Sequence, residues 1–287
     1  MNAKHFLILK KLILLTSFAC WVCLLCGCDL NKNNIFSYEQ KSINDCIRNQ
    51  NKNYTDIYEL TCIPGNDTTL LGSDYDLLGE LVNLEKIKFV GIADESDAQK
   101  FFSELSGLKK LNTVEIEDSK VGMIDKLGEI TNLNSLSIIG NSGGGDWFTI
   151  KDLNLLGTDS RFNKLQSLTL KYINMETIPN LSELTNLQEL SISGYDINRI
   201  DADVVNWENL TSLKISNTSV TVLDNSIVDR LNNLQLLDIS HTFIRDVNFV
   251  LNLPNLKSFL YANHSFQNVD MECLKNHPNY AEKWSVN

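Results

Sequence analysis

The chain has 287 residues, 43% of them hydrophobic and 21% charged, which is enough apolar material for a sizeable core and excludes a wholly disordered protein. Its 36 acidic residues outnumber 25 lysines and arginines, giving a net charge of −11, and no basic run exceeds two residues, so nucleic acid is excluded as an expected partner.

Lys4, Lys10 and Lys11 precede the run from Leu12 to Leu25, which is apolar apart from Thr16 and Ser17. That is the charged and then greasy order of an export signal, although a span starting at Phe6 would just be long enough to cross a bilayer. The run ends in Leu25-Cys26-Gly27-Cys28, which resembles the lipobox of bacterial lipoproteins. The resemblance implies a signal peptide over residues 1–27, cleavage before Cys28, and acyl chains on the Cys28 thiol and amine that anchor the protein to a membrane of the bacterial cell envelope. Processing of this kind removes three lysines and no acid, and leaves 22 basic against 36 acidic residues. Residues 28–40 are polar and Asn-rich and predict a flexible tether of roughly 20 Å reach.

The rest is repetitive. Hexads of the LxxLxL type begin at Leu84, Leu111, Leu133, Leu165, Leu187, Leu210, Leu234 and Leu256, with spacings of 27, 22, 32, 22, 23, 24 and 22 residues, and Ile57-x-x-Leu60-x-Cys62 is an earlier copy. Alternation such as Leu168-x-Leu170 predicts a short strand with one face buried, and apolar residues every three or four positions, such as Met175, Ile178, Leu181 and Leu184, predict a return segment behind it. One unit cannot cover its own leucines, so neighbours must stack into an α/β solenoid with a continuous apolar spine.

This pattern resembles leucine-rich repeats, and the dominant 22-residue period is similar to the internalin type of bacterial surface proteins. The resemblance covers residues 57–268 and implies parallel strands on a concave face that binds another protein. One departure concerns the bend after each strand, where the family places Asn. Here those positions read Ser119, Asn141, Ile173, Tyr195, Thr218 and Thr242, which predicts a looser bend or one satisfied by hydroxyls. The family's sorting tail and Ig-like domain are not seen, and an enzymatic reading, by likeness to repeat-bearing ubiquitin-ligase effectors, would need a further domain with a reactive cysteine.

Two units are stretched. Ser96-Asp97-Ala98-Gln99 ahead of Phe101, Phe102 and Leu105 predicts a helix. The 139–164 insertion, with Gly143-Gly144-Gly145-Asp146-Trp147, predicts a protruding loop in which Trp147 is a candidate contact residue. Residues 41–56 predict a front cap with Ile43, Cys46 and Ile47 on one helical face, and 269–287 a rear cap. Cys46 and Cys62 fall where cap and first strand meet, so an exported chain favours a disulfide there; the alternative is that Cys62 is a small apolar strand residue.

His241, His264, Asp270 and Cys273 fit no metal-ligand frame, the pairs Glu115/Glu117 and Asp201/Asp203 lack a cleft, and no GxSxG, HExxH or P-loop occurs. The expectation is therefore a non-catalytic monomer without a cofactor, binding an unidentified protein. The outward strand positions are mostly small hydroxyls. The candidate contact residues on that face and its rim are Lys171, Tyr172, Tyr195, Lys214, Leu236, Asp238, His241 and Leu260, with Trp147. A carbohydrate or envelope polymer is the alternative ligand.

Overall fold

The structure is a computed structural model that describes residues 42–63, 76–91, 101–119, 124–140, 153–173, 175–262, 271–280 and 284. All of them belong to the unit Glu39–Asn287. The lipobox with Cys28, the tether, the 96–99 capping segment, Trp147 and His264 lie outside the described residues.

Among the described residues, nine strands form one parallel sheet in sequential order: β1 (Glu59–Cys62), β2 (Lys86–Val90), β3 (Thr113–Glu117), β4 (Ser135–Ile139), β5 (Ser167–Lys171), β6 (Glu189–Gly194), β7 (Ser212–Thr218), β8 (Leu236–Asp238) and β9 (Ser258–Leu260). The earlier repeat copy is β1, in register with β2 through Leu60 and Ile87. Sequential parallel order means that each coil crosses over once and delivers its strand beside the last, which is what a stacked repeat must do to keep its backbone groups bonded. This is the predicted α/β solenoid.

The strands alternate buried and half-buried residues because one side faces the spine and the other faces water. Register aligns Leu60, Ile87, Val114, Leu136, Leu168, Leu190, Leu213, Leu237 and Phe259 as one inner column. All are at most 1% exposed. Each leucine so enclosed contributes ~1.5–3 kcal/mol relative to exposure. The first leucine of each hexad closes a tight turn, its N–H donating to the carbonyl three residues earlier, as in Leu187 to Leu184 at 3.1 Å and Leu234 to Leu231 at 3.1 Å. The turn therefore pins the strand's start.

Residues 101–105 are helical, and Phe101, Phe102 and Phe89 pack with ring centroids 5.0 to 5.7 Å apart. Gly157, in the helical turn Leu155–Thr158, lies so close to Asn180 that any β-carbon would overlap its carbonyl.

At the front, helix α1 (Ile43–Arg48) is N-capped by Ser42 and buries Ile43, Cys46 and Ile47. Cys46 and Cys62 are joined by a disulfide with their Cα atoms 5.4 Å apart. At the rear, Leu274, His277 and Trp284 are buried over the last coil. The His277 imidazole is held in one tautomer: Nδ1 accepts from Asn279 N–H at 3.0 Å, so Nε2–H donates to the Leu253 carbonyl at 2.9 Å. Trp284 Nε1 donates to the Lys257 carbonyl at 3.1 Å. Among the described residues, no helix is long and apolar enough to cross a membrane.

Candidate interaction surface

Three features of the repeat face water together: the outward rows of the sheet, the bend that follows each strand, and the turn that precedes it. The outward rows are set by register. One row runs Lys88, Glu115, Ser137, Thr169, Ser191, Lys214, Asp238 and Leu260, and the rows beside it carry Lys171 and Leu236. Lys171, Lys214, Leu236, Asp238 and Leu260 are all half-buried on this one face.

At its front end the face is closed by charge. Lys86 Nζ lies 2.6 Å from Glu115, and Lys88 Nζ lies 2.6 Å from Glu117 and 4.0 Å from Glu115. The hydrogen bond to Glu115 holds the Lys86 ammonium above its ordinary range. Glu115 and Glu117 are thus ion-pair partners and not an acid/base dyad, and the partially exposed pairs are worth at most ~1 kcal/mol each. Asp201 is 3.4 Å from Arg199. Among the described residues no three His, Cys, Asp or Glu side chains converge to hold a metal ion.

In five of the coils the chain turns through a left-handed residue at an equivalent position at the end of the strand: Gly91 (φ 76°), Asp118 (49°), Tyr172 (53°), Asn217 (54°) and His241 (56°). Its N–H extends the ladder to the next coil, as Asp118 to the Ile139 carbonyl at 2.8 Å and Tyr172 to the Ser193 carbonyl at 2.8 Å. Asp, Asn and Gly tolerate this conformation, whereas Tyr172 and His241 bear its cost of ~1–2 kcal/mol. The next position is the one at which Asn was missed. Hydroxyls serve it in part: Ser119 Oγ donates to the Glu117 carbonyl at 2.8 Å and Thr242 Oγ1 to the Ile239 carbonyl at 2.8 Å, but Thr218 Oγ1 has no partner among the described residues.

Tyr195, a candidate contact residue of the rim, is exposed there through a shift of register. The repeat count puts it at the buried bend position, but the β6–β7 register slips after Ile192 so that Gly194 lies opposite Thr218. Gly194 is buried in its place and Tyr195 is expelled to 67% exposure. The extra residue lies on β7, where Ser216 and Asn217 span the step that Ser193 alone spans on β6, and the residue after Gly194 turns outward. Ser193 also departs from its expectation as an open outward residue, being only 1% exposed. Phe243, one residue past Thr242 and 42% exposed, joins Tyr195 along the same edge, with its N–H bonded to the Val220 carbonyl and Ser219 Oγ bonded to the Tyr195 carbonyl between them.

The third feature is an asparagine ladder on the turn before each strand. Nδ2 of Asn83, Asn132, Asn186, Asn209, Asn233 and Asn255 donates to a carbonyl of the preceding coil, from Thr55 at 2.8 Å through Thr185 at 2.6 Å to Asn232 at 2.8 Å. Where the hexad leucine is preceded by lysine, Nζ reaches back in the same way, Lys110 to Asn83 and Lys164 to the Thr131 carbonyl, both at 2.8 Å. Alongside, Gln188, Thr211, Gln235 and Lys257 complete a groove of about 570 Å³ across four coils. Sequence reasoning sought asparagine at the bend and missed it here, although the signal is plain: an Asn-Leu pair opens six of the eight hexads.

No family model matches the chain, and no curated protein matches it. Solved structures do. An internalin (inlF) of Listeria monocytogenes is 21% identical, with 79% of each chain covered and a TM-score of 0.51. A leucine-rich-repeat protein of Leptospira interrogans is 20% identical over 75% of this chain and 51% of its own, with a TM-score of 0.52. At these identities the likeness is one of fold, and with the nine-stranded open sheet it defines the molecule as a leucine-rich-repeat solenoid.

Proposed function

We propose that this is a lipid-anchored bacterial envelope protein whose leucine-rich array binds another protein without catalysis. The observation that carries the reading is the open outward face of the nine-stranded sheet. At ~4.8 Å between strands that face is ~40 Å long and ~10–15 Å wide, so it approaches the ~800 Å² of one side of a standard interface once the bend edge is included. The edge supplies Tyr195 and Phe243, aromatic residues of the kind that dominate interface energies. The anchor rests on Leu25-Cys26-Gly27-Cys28 and on the general need for more than one acyl chain for stable attachment.

The test has two arms. Residues 29–287 are used as bait against envelope extract, with Tyr195→Ala, Phe243→Ala and Lys214→Glu variants alongside; a partner retained by the wild type and lost by the variants supports the reading, and none retained counts against it. Mass spectrometry of the processed N-terminus reads the acyl chains on Cys28, and Cys28→Ser releases the protein from membranes if the anchor is right. A second reading, an envelope polysaccharide as ligand, is favoured by the amide-lined groove at Asn186, Asn209, Asn233 and Asn255. A glycan array separates the two.

A further inference from the structure

Four buried side-chain polar atoms have no hydrogen-bond partner among the described residues, and two of these, Ser191 Oγ and Ser193 Oγ, sit on β6. Buried polar atoms are satisfied so regularly that two orphans on one strand need a physical reason. Both serines lie in outward rows, since the inward positions of this strand are Leu190 and Ile192. Whatever covers the hydroxyls is therefore on the solvent side of the sheet.

The long side chains beside them are lysines. Lys171 of β5 is in register with Ser193, and Lys214 of β7 with Ser191, so one lysine stands on each side of β6. Neither lysine has an ion-pair partner among the described residues, in a chain with 36 acids. The acids of the same face are engaged elsewhere. Asp238, in register with Lys214, accepts from the Ser240 N–H at 2.9 Å; Glu189 accepts from Ser167 Oγ at 3.3 Å; Glu115 and Glu117 hold Lys86 and Lys88. Two strand spacings across and one two-residue step along put the lysine backbones ~12 Å apart. Side chains of that length are long enough to reach one carboxylate over β6, or two carboxylates on alternate residues of an extended segment.

We propose that Lys171, Ser191, Ser193 and Lys214 form the docking point for an acidic segment of the protein partner. The segment's carboxylates lie over β6, the ammoniums close on them from either side, and the two hydroxyls donate from beneath. A carboxylate is an acceptor only, and the two ammoniums and two hydroxyls of this site can all donate to it. The inference rests on the protein-binding reading above and specifies the chemistry of the partner.

The experiment uses the full chain in detergent and, as probe, a blocked peptide of alternating threonine and glutamate, with the glutamine version as control. Anisotropy titrations are run against wild type, Lys171→Gln, Lys214→Gln and the double variant Ser191→Ala/Ser193→Ala. The acidic peptide is expected to bind at least about tenfold more tightly than the glutamine peptide, and each lysine change to weaken it roughly threefold to tenfold. The serine double change should weaken it by a similar factor while leaving Tm unchanged or slightly raised, because no hydrogen bond is lost in the free protein. Unchanged acidic-peptide binding by both lysine variants, or a serine variant that binds normally and melts lower, overturns the proposal. So does saturation by inorganic phosphate or a uronic-acid polymer at concentrations where the peptide does not bind. Capture of a partner from envelope extract undiminished by the lysine changes refutes this site but leaves the protein-binding reading standing; peptide binding without any captured partner does the reverse.

Discussion

Trp207 occupies, in its coil, the inward turn position held elsewhere by Leu81, Leu108, Ile130, Phe162, Leu184, Leu231 and Leu253, and it is 0% exposed. Its carbonyl accepts from Leu210 N–H at 3.2 Å, and its Nε1–H donates to the Ala202 carbonyl at 2.7 Å. Replacing it by alanine removes a fully enclosed indole, at ~3–5 kcal/mol for such a truncation including the cavity. The lost hydrogen bond adds little, because Arg230 Nη1 still donates to the same Ala202 carbonyl at 3.1 Å. The total is therefore about 4 kcal/mol, which at a urea slope of ~2–3 kcal/mol/M shifts the midpoint down by roughly 1.5 M. Trp207→Leu, which restores the side chain of the neighbouring coils, should cost under half as much. The assay is urea unfolding followed by far-UV circular dichroism. A midpoint shift for Trp207→Ala smaller than about 0.3 M would refute the claim that the return segments are packed into the spine.

The ends, the ladder and the charges make further predictions. Reducing the Cys46–Cys62 bond, which closes a 16-residue separation, should lower stability by ~3 kcal/mol, read as a drop in Tm with dithiothreitol that Cys46→Ser/Cys62→Ser no longer shows. Asn209→Ala breaks the bond to the Thr185 carbonyl and should cost ~1 kcal/mol by urea titration, while Asn209→Lys, the residue used at Lys110 and Lys164, should recover part of it. Gly157→Ala forces a β-carbon against Asn180 backbone and should cost ~1–3 kcal/mol, visible in the same titration. The side-chain hydrogen bond from Arg161 holds the Asp159 carboxyl below its ordinary 3.8, so the stability it supplies is complete above that value and disappears as pH falls through the lower folded one. Melting temperatures of wild type and Arg161→Gln should accordingly differ at neutral pH and converge in strong acid; a gap that widens on acidification contradicts the assignment.

Much of the fold was legible because one constraint repeats: an inward residue must be apolar on every coil, so Leu60 through Phe259 announce their column by stride alone. The face was legible for the same reason, since alternation places Lys171, Lys214, Leu236 and Asp238 outward once their neighbours are inward. What depends on contacts between coils was not legible. The role of asparagine at Asn209 depends on where the Thr185 carbonyl lies, and the register slip at Gly194 beside Tyr195 is recorded by no count of spacings. The ion pairs of Lys86 and Lys88 with Glu115 and Glu117 join residues 27 or more apart in sequence, which only the register of β2 on β3 brings together. The orphaned hydroxyls of Ser191 and Ser193 likewise look like ordinary outward serines until the packing around β6 is seen.

The most direct measurement of the central claim, one stacked spine behind one exposed face, is thiol cross-linking of paired substitutions on neighbouring coils. Ser137→Cys with Thr169→Cys joins residues 32 apart in sequence but in register on β4 and β5. Strands ~4.8 Å apart bring those Cα atoms within bonding range. The account predicts that this pair oxidises readily, whereas Ser137→Cys with Lys214→Cys, three strands apart, stays reduced; comparable oxidation of both pairs, or of neither, would contradict it.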